Sequence, residues 1–307
     1  MTRDKDLMTT DTQPRASAID YLRLCRPKQW VKNLLVVAAP FAAGVMDDVT
    51  TVLTVALGVA AFSVVSSGVY AINDARDFEA DRQHPKKRMR PVAAGRILPS
   101  SALAFGGTLV LVGIGVGLLT GSLGFSAILG LYALTTIAYS VWLKHVALID
   151  IAVIAFGFLL RALSGAILVD VPVSEWFLIV TTFGALFIAA GKRLSERMTL
   201  EHNGNGHRMA LDDYAPGFIE YLLGTSTAVV LLSYSLWALE VQDGSTGMPW
   251  AAISLGPFVL GVLRYAQLIY LGRGGEPEAL VLGDRGLQAA GAIWAMTMAL
   301  TFYGGSA

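Results

Sequence analysis

The sequence predicts an all-α integral membrane protein, a bundle of about nine transmembrane helices. Three observations carry this reading. Of 307 residues, 54% are hydrophobic and 15% charged, too apolar a balance for an ordinary soluble domain. Apolar runs of roughly 16 to 24 residues recur along the chain, separated by charged or Gly/Pro breaks. Lys and Arg are confined almost wholly to alternate connectors.

The elements follow in order. Residues 1–20 are polar and lack an apolar core ahead of a cleavage site, so they are expected to form a disordered tail rather than a signal peptide. Residues 21–307 are expected to form one polytopic membrane domain. Its spans are predicted near 33–46, 51–72, 101–120, 122–143, 146–169, 174–191, 216–239, 249–271 and 286–304. The first opens with "LCRPKQWVKNLL", where Arg26, Lys28, Trp30, Lys32 and Asn33 are either interface anchors or a mouth that guides an anionic lipid headgroup. Gly113, Gly115 and Gly117, then Gly121 and Gly124, read as sites of close helix approach. Cys25 is the single cysteine, so no internal disulfide forms, and no Cys/His cluster has zinc-ligand spacing.

The connectors define an orientation. Basic residues fall in the N-terminal segment and in loops 73–100, 192–215 and 272–285, with Lys144 in a fourth connector on the same side. The opposite connectors hold acids and small residues. The positive-inside rule therefore predicts a multi-pass protein of the plasma membrane with a cytoplasmic N-terminus. Arg161 and Arg264 fall inside predicted spans and are each expected to face a polar cavity or an acidic partner, or to snorkel. Formal net charge is zero, and no nucleic-acid partner is expected.

The connector "NDARDFEADRQHPKKRMRPVAAGR" joins two apolar runs yet is dense in charge. Continued as a helix through Asp81, it places Asn73, Asp74, Asp77 and Asp81 within an arc of about 100°, with Arg76 and Glu79 elsewhere. Carboxylates converging at a membrane surface repel one another unless a cation neutralises them. Hard oxygen donors of this kind suit Mg²⁺, which is usually shared with substrate phosphates. The basic run that follows, including Lys87 and Arg90, is suited to phosphate, and the two halves together describe a diphosphate site. His84 reads as a loop residue.

A second polar group lies at 192–215. Lys192, Arg193 and Glu196 follow the sixth span, Lys192 and Glu196 one turn apart, and Asp212, Asp213 and Tyr214 come later. Tyr139 and Lys144, at the end of the fourth span, are interface anchors or phosphate contacts. The Gly/Asn composition around Asn203 to Gly206 suggests a mobile lid.

The run Asn73-Asp74-x-x-Asp77-x-x-x-Asp81 followed by Arg90-Pro91-x-Ala93-x-Gly95 resembles the first aspartate-rich motif of the UbiA superfamily of intramembrane polyprenyltransferases. Within it, Arg26 to Asn33, Asp81-Arg82-x-His84-Pro85-x-Lys87 and Gly191-Lys192-Arg193-x-x-Glu196 are similar to the actinobacterial decaprenyl-phosphate phosphoribosyltransferases of cell-wall arabinan synthesis. The resemblance implies a UbiA-type bundle with a polar active-site cavity on the cytoplasmic side. It also implies phosphoribosyl diphosphate as donor and a polyprenyl phosphate, decaprenyl phosphate, as acceptor. On that basis Asn73, Asp77 and Asp81 are expected to hold Mg²⁺, with Asp74 a ligand or directly behind one. Lys87, Arg90, Lys192 and Arg193 are expected on donor phosphates, and Tyr139 and Lys144 on diphosphate or sugar. Arg26, Lys28 and Lys32 are expected to receive the lipid phosphate. Arg161 would link the pocket to Ser164 or to that phosphate, and Glu196 and Tyr214 complete the substrate set. A homo-oligomer is compatible with this reading.

The aromatic prenyltransferases of the superfamily, which use a polyprenyl diphosphate donor, are the first alternative. They usually carry a second Asp-x-x-x-Asp motif in the later loop, and no such spacing occurs here. A secondary transporter is the remote alternative, and the acidic motif has no counterpart in the second half of the chain.

Overall fold

The computed structural model describes residues 16–203, 213–241 and 248–304. Residues 1–15 of the expected tail, Asp212 and all but the first residue of the expected lid lie outside this set. The first helix, α1 (Ala18–Leu24), begins inside the segment expected to be disordered. Ser17 explains this: its side chain accepts from the Asp20 amide at 3.2 Å while the Asp20 carboxylate accepts from the Ser17 amide at 3.2 Å, a reciprocal cap.

The expected first span is not one helix. Residues Pro27–Val37 form a 3₁₀ run, and a five-residue α2 (Ala38–Ala42) follows. Its polar residues Gln29, Lys32 and Asn33 turn towards the protein, whereas Lys28 stays exposed. Asn33 is fully buried; its amide donates to Ser63 Oγ at 3.0 Å and its Oδ1 accepts from Arg161 Nε at 2.9 Å. Backbone contact is just as close: a Cβ added to Gly165 would lie 1.9 Å from the Val36 carbonyl oxygen. The segment is thus a strap packed across two other helices, with Asn33 and Val36 buried and Trp30 and Leu34 exposed.

Those helices are α3 (Val49–Arg76) and α7 (Ile149–Leu168). Between them come α4 (Phe78–Gln83), α5 (Pro99–Leu118) and α6 (Leu123–Val141). The second half contains α8 (Glu175–Asn203), α9 (Phe218–Glu240), α10 (Trp250–Ile253), α11 (Leu255–Tyr270), α12 (Pro277–Gly283) and α13 (Arg285–Tyr303). Among the described residues there is no strand. Among the described residues seven helical segments are long and apolar enough to cross a membrane, and the expected count of nine is not reached by that measure. Besides the strap, α13 falls outside the seven: it has spanning length but a more polar composition.

Two apolar cores share α7. One surrounds Phe62, Phe125, Leu129 and Leu160; the other surrounds Ile151, Ala189, Leu223 and Ile269. A close helix crossing joins α3 to α5, where a Cβ on Gly68 would lie 2.5 Å from the Gly106 carbonyl and one on Gly113 would lie 2.5 Å from Val65. Lipid gives no hydrophobic drive for helix association, so such close backbone contact supplies the packing energy. Of the glycines expected to pack, Gly115 and Gly121 meet open space, Gly121 serving instead as a left-handed turn residue (φ 78°). Gly68→Val is expected to destabilise the protein by about 1–3 kcal/mol in detergent melts, whereas Gly107→Val, with no atom within 4 Å, is expected to melt close to the parent.

Candidate active site

The acidic connector caps the end of α3. Helix α3 stops at Arg76 and α4 starts at Phe78, with Asp77 at the junction (φ −92°, ψ 7°). Helical spacing survives this break. The Asp77 amide bonds to the Asn73 carbonyl at 2.9 Å, and the Asp81 amide to the Asp77 carbonyl at 2.8 Å. Asn73, Asp77 and Asp81 therefore follow one another a turn apart, as predicted, and Arg76 and Glu79 are exposed.

Burial decides what surrounds them. Asp74 and Asp81 are almost completely enclosed, and an enclosed carboxylate requires a partner. Arg90 bridges both, donating to Asp74 at 3.1 Å and Asp81 at 2.6 Å. Arg26 also grips Asp74, from a left-handed backbone position (φ 51°) just before the strap. Lys144 donates to Asp77 at 2.8 Å, and Ser140 Oγ donates to Asn73 Oδ1 at 2.6 Å. Arg26, Asp77, Arg90 and Lys144 each keep 22–27% of their side-chain surface exposed, so water and solutes reach this group.

Among the described residues no three His, Cys, Asp or Glu side chains converge to hold a metal ion. Mg²⁺ needs less than that, because it is usually bound through one or two carboxylates, with waters and substrate phosphates completing its shell. Asp77 and Asp81, with the Asn73 amide oxygen a turn away, fit that demand in donor type and spacing. Asp74, clamped by two guanidiniums, stands behind them. His84 accepts from the Lys86 and Lys87 amides at 3.2 and 3.3 Å, the structural turn its sequence position suggested.

The second polar group is organised by a residue the sequence reading passed over. Asp150, in the first turn of α7, is fully buried and ion-paired with Arg193 of α8, itself fully buried. Arg193 also pairs with Glu196 and donates to Tyr139 at 2.7 Å, while Tyr139 donates to Asp150 at 2.8 Å. Two carboxylates and a phenol thus take up the Arg193 guanidinium, which makes it a clamp between α6, α7 and α8 rather than the phosphate contact expected. Tyr214 likewise turns inward: its hydroxyl accepts from the Leu148 amide at 2.7 Å, and its ring stacks on Phe218. Lys192 is half-buried on α8 and Lys87 is exposed in the loop after α4.

The strap supplies the remaining basic residues. Lys28 is exposed, whereas Lys32 pairs with Glu278 of α12 at 2.9 Å. Burial works to raise the Glu278 carboxyl, but the Lys32 ammonium and the hydrogen bonds from Lys32 and Gln29 hold it below its ordinary range. Arg161 lies deeper, donating to Asn33, to the Gly157 carbonyl at 2.7 Å and to Tyr132 at 2.7 Å. Among the described residues it faces neutral groups and the rings of Tyr132 and Phe62 in place of an acidic partner. Ser164, its expected link, only donates back to the Arg161 carbonyl. Arg264 does have an acidic partner, Asp284 at 2.8 Å.

Residues 34–282 match the UbiA prenyltransferase family. The chain belongs to that family. Proteins named decaprenyl-phosphate phosphoribosyltransferase are similar to it along most of both chains. That of Corynebacterium glutamicum is 38% identical, covering 94% of this chain and 89% of its own. That of Mycobacterium tuberculosis is 40% identical, covering 94% and 96%. Among solved structures, a UbiA homolog from Archaeoglobus fulgidus bound to GPP and Mg²⁺ superposes with a TM-score of 0.68 at 19% identity, covering 94% of this chain and all of that one. This UbiA member therefore shares the fold over nearly its whole length.

Sequence reasoning missed three site residues of this UbiA bundle. Asp150 had a signal, an acid inside a predicted span. Glu278 and Ser140 had none, since only the fold brings them to Lys32 and Asn73. Asp150→Asn is expected to destabilise the protein by about 3–5 kcal/mol in thermal or denaturant unfolding, because it strands the Arg193 charge, and pairing it with Arg193→Met should recover part of the loss.

Proposed function

We propose that this protein transfers 5-phosphoribosyl from phosphoribosyl diphosphate to a polyprenyl phosphate such as decaprenyl phosphate, releasing diphosphate. The observation that carries the proposal is near-full-length similarity to proteins bearing that name, together with the paired acidic and basic groups at the end of α3. In the reaction an oxygen of the acceptor phosphate attacks the anomeric carbon as the bond from that carbon to the diphosphate oxygen breaks. The acceptor is already an anion, so little help from a base is needed; the barrier lies in separating a charged leaving group from an oxocarbenium-like sugar.

Asn73, Asp77 and Asp81 would hold Mg²⁺, which when bound neutralises charge on the leaving diphosphate. Arg90 and Lys144, half-exposed on the same carboxylates, face the position of that leaving group and supply further positive charge. Tyr139 is held by Arg193 and Asp150 beside this position, so Arg193 and Glu196 act by fixing it. Arg26, next to Asp74, and the exposed Lys28 lie at the mouth of the strap, suited to the acceptor headgroup. The acceptor tail stays in the bilayer, where each methylene is favoured by about 0.8 kcal/mol over water. The basic end of the bundle faces the cytoplasm, in keeping with the Lys/Arg distribution.

Two measurements test this. Purified protein with Mg²⁺, labelled phosphoribosyl diphosphate and decaprenyl phosphate is expected to yield a labelled lipid; prenylation of an aromatic acid with no labelled lipid would reverse the reading. Asp77→Ala and Asp81→Ala are each expected to lower turnover by about 10²- to 10³-fold in membrane-inserted protein, and near-normal rates would remove that residue from the site.

A further inference from the structure

From the acidic cluster a line of polar groups descends along the strap. Arg26 pairs with Asp74 and lies over the Tyr70 ring, 4.9 Å from its centroid. Three residues on, Gln29 Oε1 accepts from Lys32 Nζ at 2.5 Å, and the amide of Gln29 donates to Glu278. Lys32 itself pairs with Glu278, and the neighbouring Asn33 holds Arg161. Arg161 is 5% exposed, and no carboxylate among the described residues pairs with it.

Lys32 and Arg161 are thus two cations on neighbouring strap contacts with one carboxylate between their charges, Glu278, which pairs with Lys32 alone among the described residues, while Arg161 is walled by Phe62, Tyr132 and Phe158. Excess positive charge inside a membrane bundle is costly until an anion joins it. Donors remain for one: an ammonium has three N–H groups, and the described bonds use two. The Lys32 side chain keeps 18% exposure where Glu278 keeps 4%, so Lys32 is the more accessible residue of the pair. Six residues of 3₁₀ helix at about 2 Å each set Lys32 roughly 12 Å along the strap from Arg26, which marks the Asp74 end of the strap beside the acidic cluster assigned to the leaving diphosphate, and the long Lys32 side chain shortens that reach. A pentose phosphorylated at both ends has comparable length.

We propose that Lys32 binds the 5-phosphate of the donor ribose and thereby selects a pentose phosphate diphosphate over a prenyl diphosphate. This rests on the donor assigned above and deepens it. It also moves Lys32 from the lipid phosphate to the donor. A prenyl diphosphate would lay hydrocarbon against Lys32, Gln29 and Glu278 and strand their charges. Glu278 and Gln29 keep the ammonium aimed, and Arg161 is a positioning residue that fixes Asn33 and hence the strap.

The test uses full-length protein in nanodiscs with Mg²⁺ and calorimetric binding of phosphoribosyl diphosphate, ribose 5-phosphate and inorganic diphosphate. Lys32→Met is expected to weaken the first two by about 10- to 100-fold and to leave inorganic diphosphate within about twofold. Unchanged binding of phosphoribosyl diphosphate, or an equal loss for inorganic diphosphate, would overturn the assignment. Should Lys32→Met fail to fold, the parent protein decides: ribose 5-phosphate must compete with phosphoribosyl diphosphate, and absence of competition overturns the assignment while leaving the donor in place. Failure of the parent to bind phosphoribosyl diphosphate at all would overturn the donor and the subsite together.

Discussion

Charge neutralisation away from bulk water constrains this molecule more than any other interaction. Asp74 and Asp81 are enclosed where α3 leaves the bundle, and Arg26 and Arg90 enclose them. A carboxylate left alone in such a place costs several kcal/mol, so each acid fixes the position of a base. Through Arg26 the acids hold the start of the strap; through Arg90 they fold the connector after α4 back on itself. Lys144 brings the end of α6 to Asp77 in the same way. The site is therefore built by the pairing that its own burial demands.

The same rule organises the second half. Asp150 and Arg193 are both fully buried, and their ion pair ties α7 to α8 while orienting Tyr139 from α6. Because α7 contributes to both apolar cores, this clamp stands where the two halves of the bundle meet. Close glycine contacts on α3 and at Gly165 then set how near the strap and α5 approach. Electrostatics chooses the partners and backbone proximity sets the distances.

Much of this was legible beforehand because it is local. Apolar run length gave the helical membrane class, and helical spacing gave the stacking of Asn73, Asp77 and Asp81, which survives the break at Asp77. The strap was misread as a span because length and apolarity cannot distinguish a spanning helix from a short 3₁₀ segment packed on one side against protein; Asn33 and Lys32 were the available hint. The roles of Arg193 and Tyr214 were misread for a related reason, since a basic or aromatic residue in a polar loop looks the same whether it turns outward or inward.

The sequence by itself determined the membrane setting, the family-like acidic motif and the side on which the bases gather, since these depend on composition and on residues within a few turns of one another. Tertiary structure alone decided the pairings of Lys32 with Glu278, Arg161 with Asn33 and Arg193 with Asp150. Their partners lie tens to hundreds of residues apart. Only the packed bundle removes the water that would otherwise solvate each charge separately, and that removal is what makes each partner necessary.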